Sequence, residues 1–363
     1  MVVTKESLIA KSIQLIRQNQ SKTGAYLASP GFANYRYAWL RDGAFTAYAM
    51  NRVSQHESAR RFYQWCDGVI QKHAGKAHHA IAYVRQHEGE VHWNDLFLHT
   101  RYTVEGDEVA GEWGSFQLDG YGTWLWGLAE HVRMSGEREW IQAFAPSIEL
   151  TLDYLAACWR LPNFDCWEEA GDKLHPATLA ALYAGIKAME PHVPQRADEC
   201  ASLAAEIRQF VREKGVLGNR FVKSLGNPAV DASSLWIGLP FGLVCIDDPL
   251  LAGTVAQIER ELLTGNGVHR YAADTYYGGG QWPLLTAWLG WYYVQVGRRK
   301  EAEELLVWIA TKDQPAGLPE QVQEHLLAPE DYHRWLESEG PPAVPLLWSH
   351  AMFLVLADEL GFV

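Results

Sequence analysis

The sequence predicts an all-α fold of the (α/α)6-barrel class, a toroid of six helical hairpins in a single domain spanning residues 1–363. Three observations carry this. Apolar residues recur at helical spacing from end to end, while the two-residue alternation of half-buried strands is scarce. Segments apolar on every face roughly alternate with amphipathic ones in the later part of the chain, as inner and outer helices of a barrel should. No fixed repeat length recurs, which separates the pattern from a helical solenoid.

Read in order, helical spacing marks segments 4–19, 40–54, 57–74, 116–134, 138–160, 175–190, 194–214, 230–238, 248–264, 282–297, 299–311 and 344–360. In 138–160, Trp140, Phe144, Ile148, Leu152, Leu155 and Trp159 share one face. The stretch 194–214 is charged and amphipathic and reads as an outer helix; 283–297 and 344–358 are apolar nearly all round and read as inner helices. No Pro/Gly/Ser-rich linker divides the chain. The polar stretches 76–115, 161–174, 265–281 and 312–343 read as long loops on a rigid scaffold, where function concentrates.

The net charge of -13 argues against nucleic acid, whose phosphates need a basic groove, and matches anionic membranes poorly. No uncharged apolar run reaches transmembrane length, and the N-terminus lacks the uncharged core of a signal peptide. The five cysteines, Cys66, Cys158, Cys166, Cys200 and Cys245, form no CxxC pair. Free thiols in odd number fit a reducing compartment, so a cytoplasmic location is expected. The fourteen histidines show no ligand spacing, and phosphate-cradling, dinucleotide and nucleophile-elbow motifs are absent. Neither metal nor cofactor is expected. Sixteen Trp and sixteen Tyr are abundant; most belong to a core, and a handful suit the flat faces of sugar rings.

Five clusters carry chemistry. Asn34 to Gly43 packs Tyr35, Tyr37, Trp39, Arg41 and Asp42 at the start of a helix. An adjacent Arg and Asp can grip vicinal hydroxyls, each both donor and acceptor, or can be a surface ion pair at a helix start. Trp113 to Gly122 opens a Trp-rich helix, where Gln117 and Asp119 are able to bond hydroxyls or simply to cap it. Trp167-Glu168-Glu169 sets adjacent acids beside an indole, a route to the raised pKa of a general acid; a helix-capping acidic pair is the plainer alternative. Arg270 to Trp282 runs three glycines between a Tyr pair and a Trp, allowing close backbone approach or a flexible helix entry. Gly317-Leu318-Pro319-Glu320-Gln321 places a lone glutamate in a loop between helical segments, where by itself it reads as an ordinary loop acid.

In this order, and followed by Trp348-Ser349-His350-Ala351, the clusters resemble glycoside hydrolase family 15, which holds glucoamylases, glucodextranases, some trehalases and isomaltose-releasing relatives. The resemblance runs from about Tyr35 to Ala351. It implies an (α/α)6 barrel and an inverting mechanism, with Glu168 as general acid, Glu320 as general base and Tyr35 orienting the water. It further implies that Arg41 and Asp42 hold the terminal glucose, that Glu169 contacts the substrate, and that Trp39, Trp113, Trp167, Arg270 and Trp282 line subsites. Ser115-Phe116 stand where fungal members have Arg-Pro, and neither an N-terminal β-sandwich nor a starch-binding domain is expected. The expectation is therefore an exo-acting hydrolase that releases β-glucose from short α-1,6- or α-1,4-linked oligosaccharides. A trehalase of the same family and a non-catalytic sugar-binding relative are the alternatives. A small oligosaccharide is the expected partner, and neither nucleic acid nor membrane is.

Overall fold

In the computed structural model, which describes residues 5–87, 96–111 and 113–363, helical periodicity becomes fourteen α-helices. They are α1 (Lys5–Gln18), α2 (Leu40–Arg52), α3 (His56–Lys72), α4 (Ala74–Gln86), α5 (Asp119–Ser135), α6 (Glu139–Ala143) and α7 (Ala145–Cys158). After these come α8 (Pro176–Met189), α9 (Ala197–Lys214), α10 (Pro249–Glu261), α11 (Pro283–Gln295), α12 (Arg299–Thr311), α13 (Pro329–Glu339) and α14 (Leu347–Glu359). Strand among the described residues amounts to three two-residue antiparallel pairs, one of which joins Ala38–Trp39 to Arg101–Tyr102.

The inner ring closes. Helix α2 packs on α5, α5 on α8, α8 on a 3-10 segment at Ala232–Ile237, that segment on α11, α11 on α14, and α14 back on α2. Around it, α3, α7, α9, α10, α12 and α1 form the outer layer. Sequence explains who goes where. Helix α9 buries only Cys200, Ala204, Ile207 and Val211, one stripe at helical spacing. Helix α14 buries every residue from Leu347 to Ala357, because it faces the axis on one side and the outer layer on the other. On the axis, Phe45 sits among Trp126, Trp236, Trp288 and Trp348, ring centroids 4.8–5.7 Å away, and this aromatic cluster plugs the barrel.

Four expectations are corrected in detail. The segment 138–160 is two helices, α6 and α7, broken at Phe144 because Pro146 in the next turn starts a new helix. The segment 230–238 is the 3-10 segment, stopped by Gly238 and Pro240 and capped by Asp231, whose carboxylate accepts from Ser233 N. The polar stretch 76–115 contains most of α4, and its residues 88–95 and 112 lie outside the described residues. The polar stretch 312–343 contains α13.

Candidate active site

The inner helices all present their first turns, or the loops entering them, to one end of the barrel. Arg41 and Asp42 begin α2, Trp113 and Gln117 precede α5, Trp167 to Glu169 precede α8, Arg270 and Trp282 precede α11, and Trp348 begins α14. Together they enclose a cavity of about 460 Å³, within the usual range of small-molecule sites. Tyr35, Trp39, Arg41, Asp42, Trp113, Trp167, Glu168, Glu169, Arg270, Trp282 and Glu320 all line it. Trp348 belongs to both the cavity wall and the axial cluster, so the cavity is blind at its base.

Glu168 and Glu320 reach this cavity from different loops. The Glu168 loop is folded around Asp165, whose Oδ1 accepts from the backbone N–H of Trp167 (3.0 Å) and of Glu169 (2.9 Å). Between them Glu168 is driven into the left-handed region, φ 67, a conformation that costs a non-glycine residue about 1–2 kcal/mol. Its side chain is aimed: Trp39 Nε1 donates to Glu168 Oε1 at 2.6 Å and Gln117 Nε2 donates to the same oxygen at 3.2 Å. With Oε1 so occupied, a proton on this carboxyl sits at Oε2.

The Glu320 loop is clamped by α14. Ser349 Oγ donates to Pro319 O at 2.8 Å, Leu318 N donates to His350 Nε2 at 2.8 Å, and Glu320 N donates to Ala343 O at 2.9 Å. Gly317 has φ +130, and a Cβ there would fall 2.6 Å from His350 Nε2, so the clamp requires glycine. Glu320 is 2% exposed, and its Oε2 has no hydrogen-bond partner among the described residues. Burial pushes its carboxyl up to about 8, against the opposing pull of the Tyr35 hydroxyl, Arg270 and the Tyr276 hydroxyl. Tyr35 and Tyr276 also bond each other at 3.0 Å.

At the base, Arg41 Nε lies 3.3 Å from Asp42 Oδ2 without hydrogen-bond alignment, and both atoms are buried with no hydrogen-bond partner among the described residues. An Arg–Asp pair with unspent capacity suits a polyhydroxylated ligand. Burial pushes Asp42 up to about 6, opposed by Arg41. On the far wall Arg270 forks onto Asp274 at 2.8 and 2.5 Å and reaches Glu169 Oε1 at 3.3 Å, while Tyr271 OH donates to Glu169 Oε2 at 2.5 Å. Burial raises the Glu169 pKa despite these partners.

One predicted site residue is misplaced. Asp119 does not reach the cavity: it is wholly buried behind Arg41, accepting from Arg41 Nη1 at 3.1 Å and from Gly120 N at 2.7 Å. Gln117 is likewise spent inside the protein, accepting from Arg41 Nη1 at 2.7 Å while donating to Glu168, so it links the two. Sequence reading missed Tyr276, Trp348, Trp335 and Glu339 as cavity residues. The first two stood inside quoted motifs without a role. The other two lie on α13, inside the polar stretch 312–343.

The chain is similar to known proteins over nearly its whole length. Residues 3–315 match the model of the glycosyl hydrolases family 15. An isomaltose glucohydrolase from Kribbella flavida is 42% identical over 362 residues, covering 98% of this chain and 93% of that one. Trehalase 1 from Sulfolobus acidocaldarius is 25% identical, covering 81% of this chain and 52% of that one. A glycosidase solved in complex with glucose superposes with a TM-score of 0.94 at 40% identity, covering 99% of this chain and 97% of the other.

Proposed function

This chain belongs to glycosyl hydrolase family 15 and is a glycoside hydrolase, and from that premise we propose that it is an inverting exo-α-glucosidase releasing β-glucose from isomaltose and other short α-linked gluco-oligosaccharides. The observation that carries the reading is the convergence of Glu168 and Glu320, 152 positions apart in sequence, on one blind, tryptophan-walled cavity with Arg41 and Asp42 at its base. A blind cavity admits a chain end rather than a chain middle. The relative named an isomaltose glucohydrolase supports the α-1,6 linkage as the first to test.

In this mechanism Glu168 delivers the proton from Oε2 to the leaving glycosidic oxygen, with Trp39 and Gln117 steadying the carboxylate that forms at Oε1. Glu320 takes a proton through Oε2 from a water that attacks the anomeric carbon on the opposite face, and the Tyr35 hydroxyl orients that water. Arg41 and Asp42 hold the hydroxyls of the terminal ring, and Glu169, fixed by Arg270 and Tyr271, contacts the sugar. Trp113, Trp167 and Trp282 supply flat walls. The substrate is the partner; no helix among the described residues is long and apolar enough to cross a membrane.

The test is glucose release from isomaltose, maltose, trehalose and soluble starch, with the first-formed anomer followed by NMR. β-Glucose from isomaltose, with little from starch, is expected. Initial α-glucose overturns inversion. Turnover of trehalose alone selects a trehalase, a reading favoured by relatives of 24–26% identity. Silence on all four sugars removes the catalytic reading.

A further inference from the structure

Lys223 lies outside every cluster that sequence reading singled out. It follows the antiparallel pair Val216–Leu217 and Arg220–Phe221, and its backbone N–H bonds Ala229 O at 2.8 Å. Its side chain is only 7% exposed, which is rare for a lysine. The ammonium donates to Asp231 Oδ2 at 2.7 Å and to Asp165 Oδ2 at 3.0 Å, stands 3.8 Å from Glu169 Oε2, and lies 3.9 Å from the centre of the Tyr271 ring.

Both carboxylates it joins hold the Glu168 loop. Asp165 Oδ1 takes the backbone N–H groups on either side of Glu168. Asp231 takes Trp167 Nε1 at 3.0 and 3.1 Å and caps the 3-10 segment of the inner ring. One ammonium thus ties the loop's backbone, its indole and the next inner element to a single point. The loop needs such a tie, because Glu168 and Ala170 both sit in the left-handed region, at φ 67 and 49. Two buried carboxylates without a cation would repel each other and relax that geometry.

We propose that Lys223 is a positioning residue for leaving-group protonation: it holds the strained Trp167–Glu169 loop so that Glu168 meets the glycosidic oxygen. This rests on Glu168 being the general acid. Lys223 does not line the cavity, so its effect passes through the carboxylates it bonds, Asp165 and Asp231, and more weakly through Glu169 at 3.8 Å. A lysine that merely neutralised buried charge would affect every substrate alike. A lysine that aims the acid matters only where the leaving group must be protonated.

The experiment compares isomaltose with α-glucosyl fluoride in wild type, Lys223→Gln, and the charge-balanced pair Lys223→Gln/Asp231→Asn, whose folding is followed by circular dichroism melts. With isomaltose the C1–O6 bond breaks and the leaving oxygen takes the proton from Glu168. With the fluoride the C1–F bond breaks and fluoride departs with the bonding pair, needing little protonation. In both, the water oxygen bonds C1 and its proton passes to Glu320. The variants are expected to lose about 100-fold or more in kcat on isomaltose, the scale of lost acid catalysis, yet stay within about fivefold on the fluoride. A parallel fall on both substrates, or no fall on isomaltose, overturns the proposal. If Lys223→Gln does not fold, the charge-balanced pair decides. Wild type inactive on both sugars would overturn the functional reading itself, an outcome separate from either result for Lys223.

Discussion

Burial pushes the Glu320 carboxyl up to about 8 from an ordinary 4.5, and its deprotonated fraction is the one that serves as base. An acid whose pKa is higher folded than unfolded binds more protons when folded, so this group weakens the fold as pH rises from about 4.5 to about 8. Glu320→Gln removes the ionisable group and keeps its shape. We expect kcat on isomaltose to fall by about 10² to 10⁴ and the variant to melt higher than wild type at pH 8, the difference closing at pH 4. Equal melting at pH 8 would show that the buried carboxyl carries no such cost. At this scale the two acids stand out through the order of the motifs and the family resemblance it carries, since by itself Glu320 reads as an ordinary loop acid and Glu168-Glu169 as a capping pair. Asp119 was misread for the converse reason: its composition suits a sugar hydroxyl, and only the fold reveals that Arg41 already occupies it. Lys223 gave no local signal, since its partners Asp165 and Asp231 lie 58 and 8 positions away.

Helix α13 is hard to read as a helix because Pro329–Glu339 is mostly polar, with Tyr332, Trp335 and Leu336 as its large apolar residues. These three do stand at helical spacing, but three apolar residues in eleven make a short pattern, and only Tyr332 is buried. Yet this helix shapes the cavity mouth. Trp335 packs edge-on against Tyr276 at 4.9 Å and lines the cavity, and Glu339 Oε2 accepts from Asn34 Nδ2 at 2.9 Å across the rim. For the oligosaccharide substrate proposed above, a wall at the mouth would limit the room for rings beyond the second. Trp335→Ala should raise KM for isomaltose by about tenfold, the worth of one aromatic contact, and raise the rate on isomaltotriose relative to isomaltose. An unchanged KM with an unchanged preference would place Trp335 outside the substrate's reach. The inner helices were legible for the opposite reason: α11 and α14 are buried on all sides, and their sequences say so.

The closed ring makes the ends of the chain one structure. Helix α1 packs on α14, and Ser12 Oγ of the first helix bonds His350 Nδ1 of the last at 2.8 Å while His350 Nε2 accepts from Leu318 N in the Glu320 loop. Because Nε2 is an acceptor, the proton resides on Nδ1 and the ring is neutral. Burial pushes its pKa down to about 3 from an ordinary 6.5. The unfolded chain therefore binds the extra proton first, so the stability His350 contributes is complete above about pH 6.5 and drains away as pH falls toward 3. Glu320 slopes the other way over about 4.5 to 8, so the loop carrying the base is braced most firmly where the two windows overlap. His350→Gln loses the titration along with the ring. It should be less stable than wild type by about 1–3 kcal/mol at pH 7, and that difference should shrink as pH falls from 6.5 to 4, because only wild type carries the His350 titration. Were wild type and variant to lose stability in parallel over that interval, the acid sensitivity would belong to other groups and the clamp between first helix, last helix and Glu320 loop would be silent to protons.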